Sequence, residues 1–402
     1  MTAPSAAGAH SAATGKRVYF HVGAPKTGTT YLQHVLLHNR ARLEKAGVLY
    51  PYDDHGQSFR SMQDFRGVGW GSSRRGKFAG EWELVASRVR DFTGHTAIVS
   101  NELLGGSTPD RIAAGVRSMQ PAEVHVVFTA RDFARQLVSD WQEHIKHKHT
   151  VTLETFVDDL IEHGLDAPAP FGELFWGMHD ATYVLARWTE VVDPAHIHLV
   201  TVPHPGAPND TLWRRFCEAT GLDAERYDIA IDRSNPSMGV AETELVRRMN
   251  ADVRGMADET YDPLVRVYLA EEVLGGQPPK LTLPTGRMPW VEQRSRRLIV
   301  ELKKADYLVV GDLEELMPRP VEHEPYVSPT ALTEADLAAP AIRAATGLLK
   351  QAGRQRRRII DLQNVADGIV TPSRPVRERG VALYWRARGR AGRVARRLGL
   401  KR

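Results

Sequence analysis

The most informative stretch of this 402-residue chain reads His21-Val22-Gly23-Ala24-Pro25-Lys26-Thr27-Gly28-Thr29-Thr30-Tyr31-Leu32-Gln33. A β-prone run, residues 17–22, leads into it, and apolar residues at helical spacing follow over residues 29–42. The glycines let the backbone turn sharply and approach an anion closely. The first amides of the helix have no intrahelical partner, and the lysine and threonines add a charge and donors. The stretch therefore predicts a strand, an anion-binding loop and a helix.

The loop differs from the ATP-binding P-loop in the position of its lysine. The P-loop pattern is G-x-x-x-x-G-K-[ST]. Gly23 and Gly28 have the right separation, but Thr29 stands where the lysine belongs, and Lys26 lies inside the loop. A P-loop nucleotide phosphotransferase or kinase is kept as an alternative. It would also need metal-binding carboxylates after a strand, and the sequence does not show them.

Strands and helices alternate beyond this loop. Strands are predicted at 96–100, 124–129, 197–202 and 307–310, and helices at 109–119, 133–146, 183–191 and 210–220. This alternation predicts an α/β fold, a P-loop-like three-layer sandwich with a central parallel sheet. Residues 53–80 have no periodicity and are rich in Gly, Ser, Arg and Asp, so we expect a long loop there.

Composition divides the chain into four parts. Residues 1–16 are rich in Ala, Ser, Gly and Thr, which predicts a disordered leader and not a signal peptide. Residues 17–317 are predicted to form the α/β domain. Residues 318–330 contain four prolines and are predicted to be a linker. Residues 331–402 are predicted to form a basic helical C-terminal extension.

Bulk composition excludes several classes of protein. A hydrophobic content of 42% and a charged content of 25% are typical of globular proteins, and a net charge of +4 does not indicate a nucleic-acid binder. With Cys217 as the single cysteine, no intrachain disulfide can form. No stretch approaches the roughly 18 apolar residues of a membrane span. We expect a cytoplasmic protein.

A second anion-binding signal follows the strand predicted at 124–129. The strand leads into Arg131, and Ser139 lies eight residues later in the next helix. Open α/β sheets bind ligands at the carboxyl ends of their strands, and a planar guanidinium suits a phosphate. Two anion sites on adjacent crossovers suit a nucleotide with phosphates at both ends of its ribose. Neither ATP nor GTP needs the second site.

Together, these motifs resemble the sulfotransferase family that uses 3′-phosphoadenosine 5′-phosphosulfate (PAPS), and its bacterial members in particular. The resemblance covers residues 17–222 and continues loosely to about residue 318. It implies that Lys26 contacts the 5′-phosphate and the bridging oxygen of PAPS. The other residues that it implies in PAPS binding are Thr27, Gly28, Thr29 and Thr30 at the 5′-phosphate and Arg131 and Ser139 at the 3′-phosphate.

The resemblance also implies a catalytic base, a histidine or a glutamate, near the end of the second strand of the family. Glu102 follows that strand here and is the predicted general base, and a capping or ion-pairing role is the alternative. A glutamate favours a carbohydrate or other aliphatic alcohol as acceptor, while lipid, peptide, amine and secondary-metabolite acceptors stay open. The chain shows no metal-ligand spacing, and the implied chemistry needs no metal.

Two basic segments lie outside these motifs. His144, His147 and His149 alternate with lysines and are predicted to form a solvated helix end. Residues 374–402 carry ten arginines and one lysine against one acid, with apolar residues at helical spacing. This pattern favours a solvated helix packed on the main domain. The alternative is an amphipathic helix that binds a membrane surface or an acidic partner, which would make the protein peripheral at the membrane. A non-catalytic protein that binds a nucleotide or a membrane and acts through this basic tail is also kept as an alternative.

Overall fold

The computed structural model describes residues 15–68, 76–231, 237–319 and 326–367. Within these ranges six strands form one sheet with every pairing parallel, in the order β2-β3-β1-β4-β5-β6. The strands are β1 (Arg17–His21), β2 (Val48–Leu49), β3 (Thr96–Ser100), β4 (Glu123–Ala130), β5 (Ile197–Thr201) and β6 (Leu308–Val310). The predicted α/β fold with a central parallel sheet is confirmed.

Burial explains why the central strands read as continuous apolar runs. Every residue of β3 and β5 is buried, as are all residues of β4 after Glu123. Strands of a parallel sheet are covered by helices on both faces, so they need apolar side chains on both. The order of the sheet places β1 between β3 and β4, at the centre of this core.

Helices connect and cover the strands. They are α1 (Thr29–His38), α2 (Arg40–Lys45), α3 (His55–Arg66), α4 (Glu81–Asp91), α5 (Pro109–Ser118), α6 (Phe133–Lys146), α7 (Leu153–His163), α8 (Phe171–His179), α9 (Ala181–Thr189), α10 (Thr211–Thr220), α11 (Val240–Asp252), α12 (Asp258–Tyr261), α13 (Met288–Lys304) and α14 (Glu334–Ala366). A π-helical segment, Asp262–Val273, continues α12. Throughout the described ranges, none of these helices is both long and apolar enough to cross a membrane.

The loop predicted over residues 53–80 is wrong for residues 55–66, which form α3, and its residues 69–75 lie outside the described residues. The Asp54 side chain caps this helix by accepting from the amide of Gln57 at 2.7 Å, and Gly67 ends it at a φ of 65°. The buried face of α3 includes polar side chains such as Ser58 and Gln63, so an apolar period is missing from the sequence.

The helix predicted over residues 29–42 is interrupted at Asn39. The Asn39 side-chain amide donates to the carbonyls of Val35 at 2.9 Å and Asp228 at 2.7 Å. This buried side chain therefore ties the end of α1 to a segment almost two hundred residues away. The partner was not visible in the local sequence, and α2 begins at the next residue.

The chain comprises two compact units, Met1–Arg343 and Ala344–Arg402. The first contains the whole sheet, and the second is described over residues 344–367. Residues 1–14 of the leader predicted at residues 1–16, and the Arg-rich segment at residues 374–402, lie outside the described residues. The proposed domain boundaries at 317 and 330 stay predictions. Residues Tyr326 and Ser328 both donate to Glu154 within the first unit.

Candidate active site

The loop between β1 and α1 is held along the end of β4. The amide of Val22 donates to the Val127 carbonyl at 3.0 Å, and the amide of Ala24 donates to the Thr129 carbonyl at 2.9 Å. The hydroxyl of Thr27 donates to the Ala24 carbonyl at 2.5 Å and lies 2.5 Å from the hydroxyl of Thr129. These contacts fix the loop against the sheet.

The amides that open α1 are placed to meet an anion. The first bond of the helix runs from the Leu32 amide to the Gly28 carbonyl at 3.1 Å, so the amides before Leu32 lack an intrahelical acceptor. Gly28 sits at the N-cap with a φ of 88°, a left-handed conformation that glycine adopts readily. Thr30 is exposed, whereas Thr27 is buried with its hydroxyl engaged inside the loop. The side chain of Thr27 thus shapes the loop.

Arg131 links the second predicted anion site to this loop. Its Nη1 donates to the carbonyl of Lys26 at 2.9 Å and to the hydroxyl of Ser139 at 3.4 Å. Its Nε is buried and has no acceptor among the residues that the structure describes. Burial, helped by the neighbouring Arg135, lowers the pKa of Arg131 to about 10, so the side chain stays cationic at neutral pH. The site thus offers a buried, unused donor on a cation.

Glu102 lies beside the loop at the end of β3. Its carboxylate accepts from the Gln33 side-chain amide on α1 at 2.7 Å. Its carbonyl oxygen lies 3.2 Å from the position that a Cβ on Gly23 would take, and Gly23 has a φ of 135°. Only glycine adopts this conformation freely, and it lets the two backbones approach closely.

The three main predicted site residues therefore follow three adjacent strands. Glu102 follows β3, Lys26 follows β1 and Arg131 follows β4. From β1 the chain goes on to β2 and β3 on one side, and from β4 it goes on to β5 and β6 on the other. Ligand crevices of open α/β folds form at such a change of direction, at the carboxyl ends of the strands.

Sequence reasoning missed the partner of Lys26. Its ammonium Nζ lies 2.9 Å from the carboxylate Oε2 of Glu143 on α6. Burial by itself lowers the pKa of Lys26, but Glu143, and to a smaller extent Asp140 and Glu102, raise it above its ordinary value. One signal could have pointed to Glu143: it lies four residues after Ser139, on the same face of the helix.

A cavity of about 270 Å³ opens beside Lys26. Its wall combines carboxylates, imidazoles and lysines with apolar side chains that contribute much of its surface. The lining residues are Pro25, Lys26, Leu103, Asp140, Glu143, His144, His147, Lys148, His149, Leu174, Met178, His179, Asp258, Tyr261 and Asp262. The wall therefore offers both ionisable groups and apolar surface to a bound molecule, and Lys26 forms part of it.

The sequence predicts a solvated helix end at His144, His147 and His149. This prediction is wrong for His144. His144 is only 6% exposed, and its ring packs edge-on against Phe171 of α8. Its Nε2 lies 3.3 Å from a carboxylate oxygen of Asp140. Burial lowers the pKa of His149 to about 4. Helices α7 and α8, which come later in the chain, cover this end of α6.

The buried Asp140 carboxylate lies between two histidines. Its Oδ1 lies 3.1 Å from Nε2 of His179, and its Oδ2 faces His144. Burial alone would raise the pKa of Asp140, but His179 and His144 hold it well below its usual range. Asp140 therefore presents a fixed negative charge to the cavity.

Comparisons with known proteins find a structural likeness. No family model matches the chain, and no curated protein matches it. Among solved structures, the chain is similar to a sulfotransferase from Alicyclobacillus acidocaldarius at 13% sequence identity. The likeness covers 61% of this chain and 94% of that chain, with a TM-score of 0.36. The family and activity of this chain do not follow from a likeness at this level.

Proposed function

We propose that this chain is a PAPS-dependent sulfotransferase that moves a sulfuryl group to a hydroxyl or amine of an acceptor. The observation that supports it most is the link between the two anion sites. Arg131 joins Ser139 to the Lys26 carbonyl while its buried Nε stays without an acceptor among the described residues. A nucleotide with phosphates at both the 3′ and 5′ positions would use both sites at once.

In the proposed reaction, Lys26 stabilises the negative charge that develops on the leaving 5′-phosphate. The amides that open α1 and the side chain of Thr30 hold that phosphate, and Arg131 and Ser139 hold the 3′-phosphate. Glu102 accepts the acceptor proton while the acceptor oxygen or nitrogen bonds to sulfur and the bond from sulfur to the bridging oxygen breaks. The products are the sulfated acceptor and adenosine 3′,5′-bisphosphate. No metal is needed in these steps.

The proposed acceptor site is the cavity beside Lys26. Its ionisable side chains could pair with hydroxyl or amino groups, and its apolar side chains could pack against a hydrocarbon part of the acceptor. A carbohydrate or other aliphatic alcohol, favoured by the glutamate base, stays part of the proposal. A lipid with a polar head group also fits this chemistry. A cytoplasmic location stays part of the proposal, and binding of the Arg-rich residues 374–402 to a membrane surface or an acidic partner stays the alternative to a solvated helix.

Ligand-induced shifts in melting temperature test the nucleotide site. Adenosine 3′,5′-bisphosphate should stabilise the protein more than ATP–Mg²⁺, because a ligand that binds only the folded state raises its stability. Arg131→Ala should weaken bisphosphate binding by roughly 10- to 100-fold, since it removes a charge-assisted contact. Arg117→Ala, an exposed arginine on α5, is the matched control and should bind normally.

Two outcomes of this experiment favour the alternatives. Stronger stabilisation by ATP–Mg²⁺ would favour a phosphotransferase and overturn the proposal. Bisphosphate binding without sulfuryl transfer to any member of a broad panel of sugar, lipid, phenol and amine acceptors would favour a non-catalytic nucleotide-binding protein. Transfer of labelled sulfate from PAPS to one acceptor would support the proposal.

A further inference from the structure

The amino ends of the strands, opposite the candidate active site, carry a second cluster of charged and imidazole side chains. Glu123 and His125 lie two residues apart on β4. His198 lies on β5, and His196 ends the short 3-10 helix that comes directly before β5. Side chains two residues apart on a strand lie on the same face. The parallel register pairs Val126 with Ile197 and Val127 with His198. These pairings bring the four side chains together at the amino ends of β4 and β5.

Three of these side chains offer ligand atoms to a common point. One carboxylate oxygen of Glu123 and one ring nitrogen each of His125 and His196 all lie within 4.8 Å of one another. The Nε2 of His125 is 2.7 Å from the Oε1 of Glu123, and the rings of His125 and His196 are 4.4 Å apart. Sequence reasoning missed this group because Glu123 and His125 on β4 are distant in sequence from His196, which precedes β5.

We propose that Glu123, His125 and His196 form a zinc-binding site. Two imidazoles and one carboxylate are a common ligand set for Zn²⁺, and three protein ligands leave one position for water. Ligand atoms around a tetrahedral zinc ion lie about 3.4 Å apart, because each bond is about 2.1 Å long. The separations seen here require movements of about 1 Å. The side chain of Glu123 is 40% exposed and His196 is half-buried, so both have room to adjust.

His198 supports this assignment because it orients the buried ligand. The Nδ1 of His125 lies 3.0 Å from the Nε2 of His198. Histidines that bind a metal through one nitrogen usually donate the other N–H to a fixed acceptor. With Nε2 of His125 on zinc, its Nδ1–H would donate to His198. Tyr19 stacks on the His125 ring at 4.9 Å and further fixes its plane.

Arg17 provides an opposing charge at the same place. It is the strand partner of Glu123 on β1, and its positive charge acts on the Glu123 carboxyl. This positive charge would repel a metal cation at the site, so it lowers the affinity that we expect. The proposed zinc site is separate from the sulfotransferase proposal, because its ligands lie at the other edge of the sheet.

Zinc binding to the full chain tests the proposal by competition with a chromophoric chelator. The metal-free protein should bind about one equivalent of Zn²⁺, and Co²⁺ should give the visible absorption bands of a four-coordinate site. Glu123→Gln and His196→Ala, which alter less buried ligands, should each weaken zinc binding by roughly 10- to 100-fold. Arg17→Gln should tighten it, because a competing charge is removed.

Two controls separate a defined site from general effects. His163→Ala removes an exposed histidine on α7, outside the cluster, and should bind zinc as the parent protein does. Circular dichroism without metal should show that the Glu123→Gln and His196→Ala variants are folded. A parent protein that fails to bind zinc, or folded variants that bind it as tightly as the parent, would overturn the proposal.

Discussion

The two edges of the central sheet collect opposite kinds of chemistry. At the carboxyl ends of β3, β1 and β4, the chain gathers hydrogen-bond donors and cations, among them Lys26 and Arg131. At the amino ends of β4 and β5, it gathers lone pairs from Glu123, His125 and His196. The first edge therefore suits an anion and the second suits a cation. Each group of side chains is brought together by the strand register, which places residues distant in sequence at one edge.

Without a ligand, a side chain of opposite charge acts on a key residue at each edge. At the carboxyl edge, Glu143 pairs with Lys26 at 2.9 Å. At the amino edge, the positive charge of Arg17 acts on Glu123. Each of these residues carries the same sign of charge as the ligand proposed for its edge. At each edge the charge of one side chain therefore opposes the charge of the ligand, and variants of that side chain can show how strongly.

The largest expected effect is on turnover at the carboxyl edge. Lys26→Ala and Glu102→Gln should each lower kcat by about 100- to 1000-fold, because one stabilises the leaving group and the other accepts the proton. Lys45→Ala and Glu44→Gln, exposed on α2, are matched controls that should retain full turnover. Steady-state rates of sulfate transfer from PAPS measure the effect.

One result would move the role of general base from Glu102 to Glu143. If Glu102→Gln kept normal turnover while Glu143→Gln lost it, the carboxylate beside Lys26 would be the proton acceptor. Melting temperatures of all variants should stay close to that of the parent, which would separate a catalytic effect from loss of the fold. Near-normal turnover in both Lys26→Ala and Glu102→Gln would contradict the proposed mechanism.

A smaller effect is expected when the competing carboxylate is removed. Glu143→Gln should tighten binding of adenosine 3′,5′-bisphosphate by roughly five-fold, about 1 kcal/mol, because a negative charge beside the 5′-phosphate site is lost. Glu162→Gln, exposed on α7, is the control. Calorimetric titration measures the affinity. Weaker binding by Glu143→Gln would show that this carboxylate mainly holds Lys26 in position.

The last effect concerns the stability of the fold against acid and not ligand binding. Burial lowers the pKa of His21, at the end of β1, from 6.5 to about 3. As the pH falls below 6.5, the unfolded chain gains a proton that the folded chain excludes. The free energy of unfolding should therefore decrease by up to about 1.4 kcal/mol per pH unit for this residue.

Urea unfolding at several pH values between neutral and mildly acidic measures this slope. His21→Gln should have a shallower slope than the parent, since the titrating group is gone. His163→Gln, with an exposed histidine, should keep the parental slope. Burial also lowers the pKa of His198, at the other edge, to about 4, so part of the slope should persist in His21→Gln. An unchanged slope in that variant would contradict the assignment.

Much of the sheet could be predicted from local sequence. The strand predicted at 124–129 lies within the observed Glu123–Ala130, and the helix predicted at 133–146 has the observed bounds of α6. These elements carry strong local signals, namely continuous apolar runs and an N-cap at Asp132. The placement of Arg131 beside Ser139 also follows from sequence, because strand and helix are joined directly.

The features that the sequence did not predict depend on contacts between residues that are distant in sequence. Helix α3 lacks an apolar period because its buried face carries polar side chains, and α1 ends where Asn39 meets Asp228. His144 is buried by Phe171 from a later helix. No local pattern contains these contacts. They arise only when the chain is folded, as does the pairing of Glu143 with Lys26.

The hydroxyl contact between Thr27 and Thr129 has a consequence for recognition. It fastens the middle of the loop to β4, together with the backbone bonds from Val22 and Ala24. Conformational entropy of the loop is therefore lost when the protein folds and not when a ligand arrives. A preorganised loop selects ligands by shape. Anions that do not match the fixed spacing of its amides would bind to it weakly.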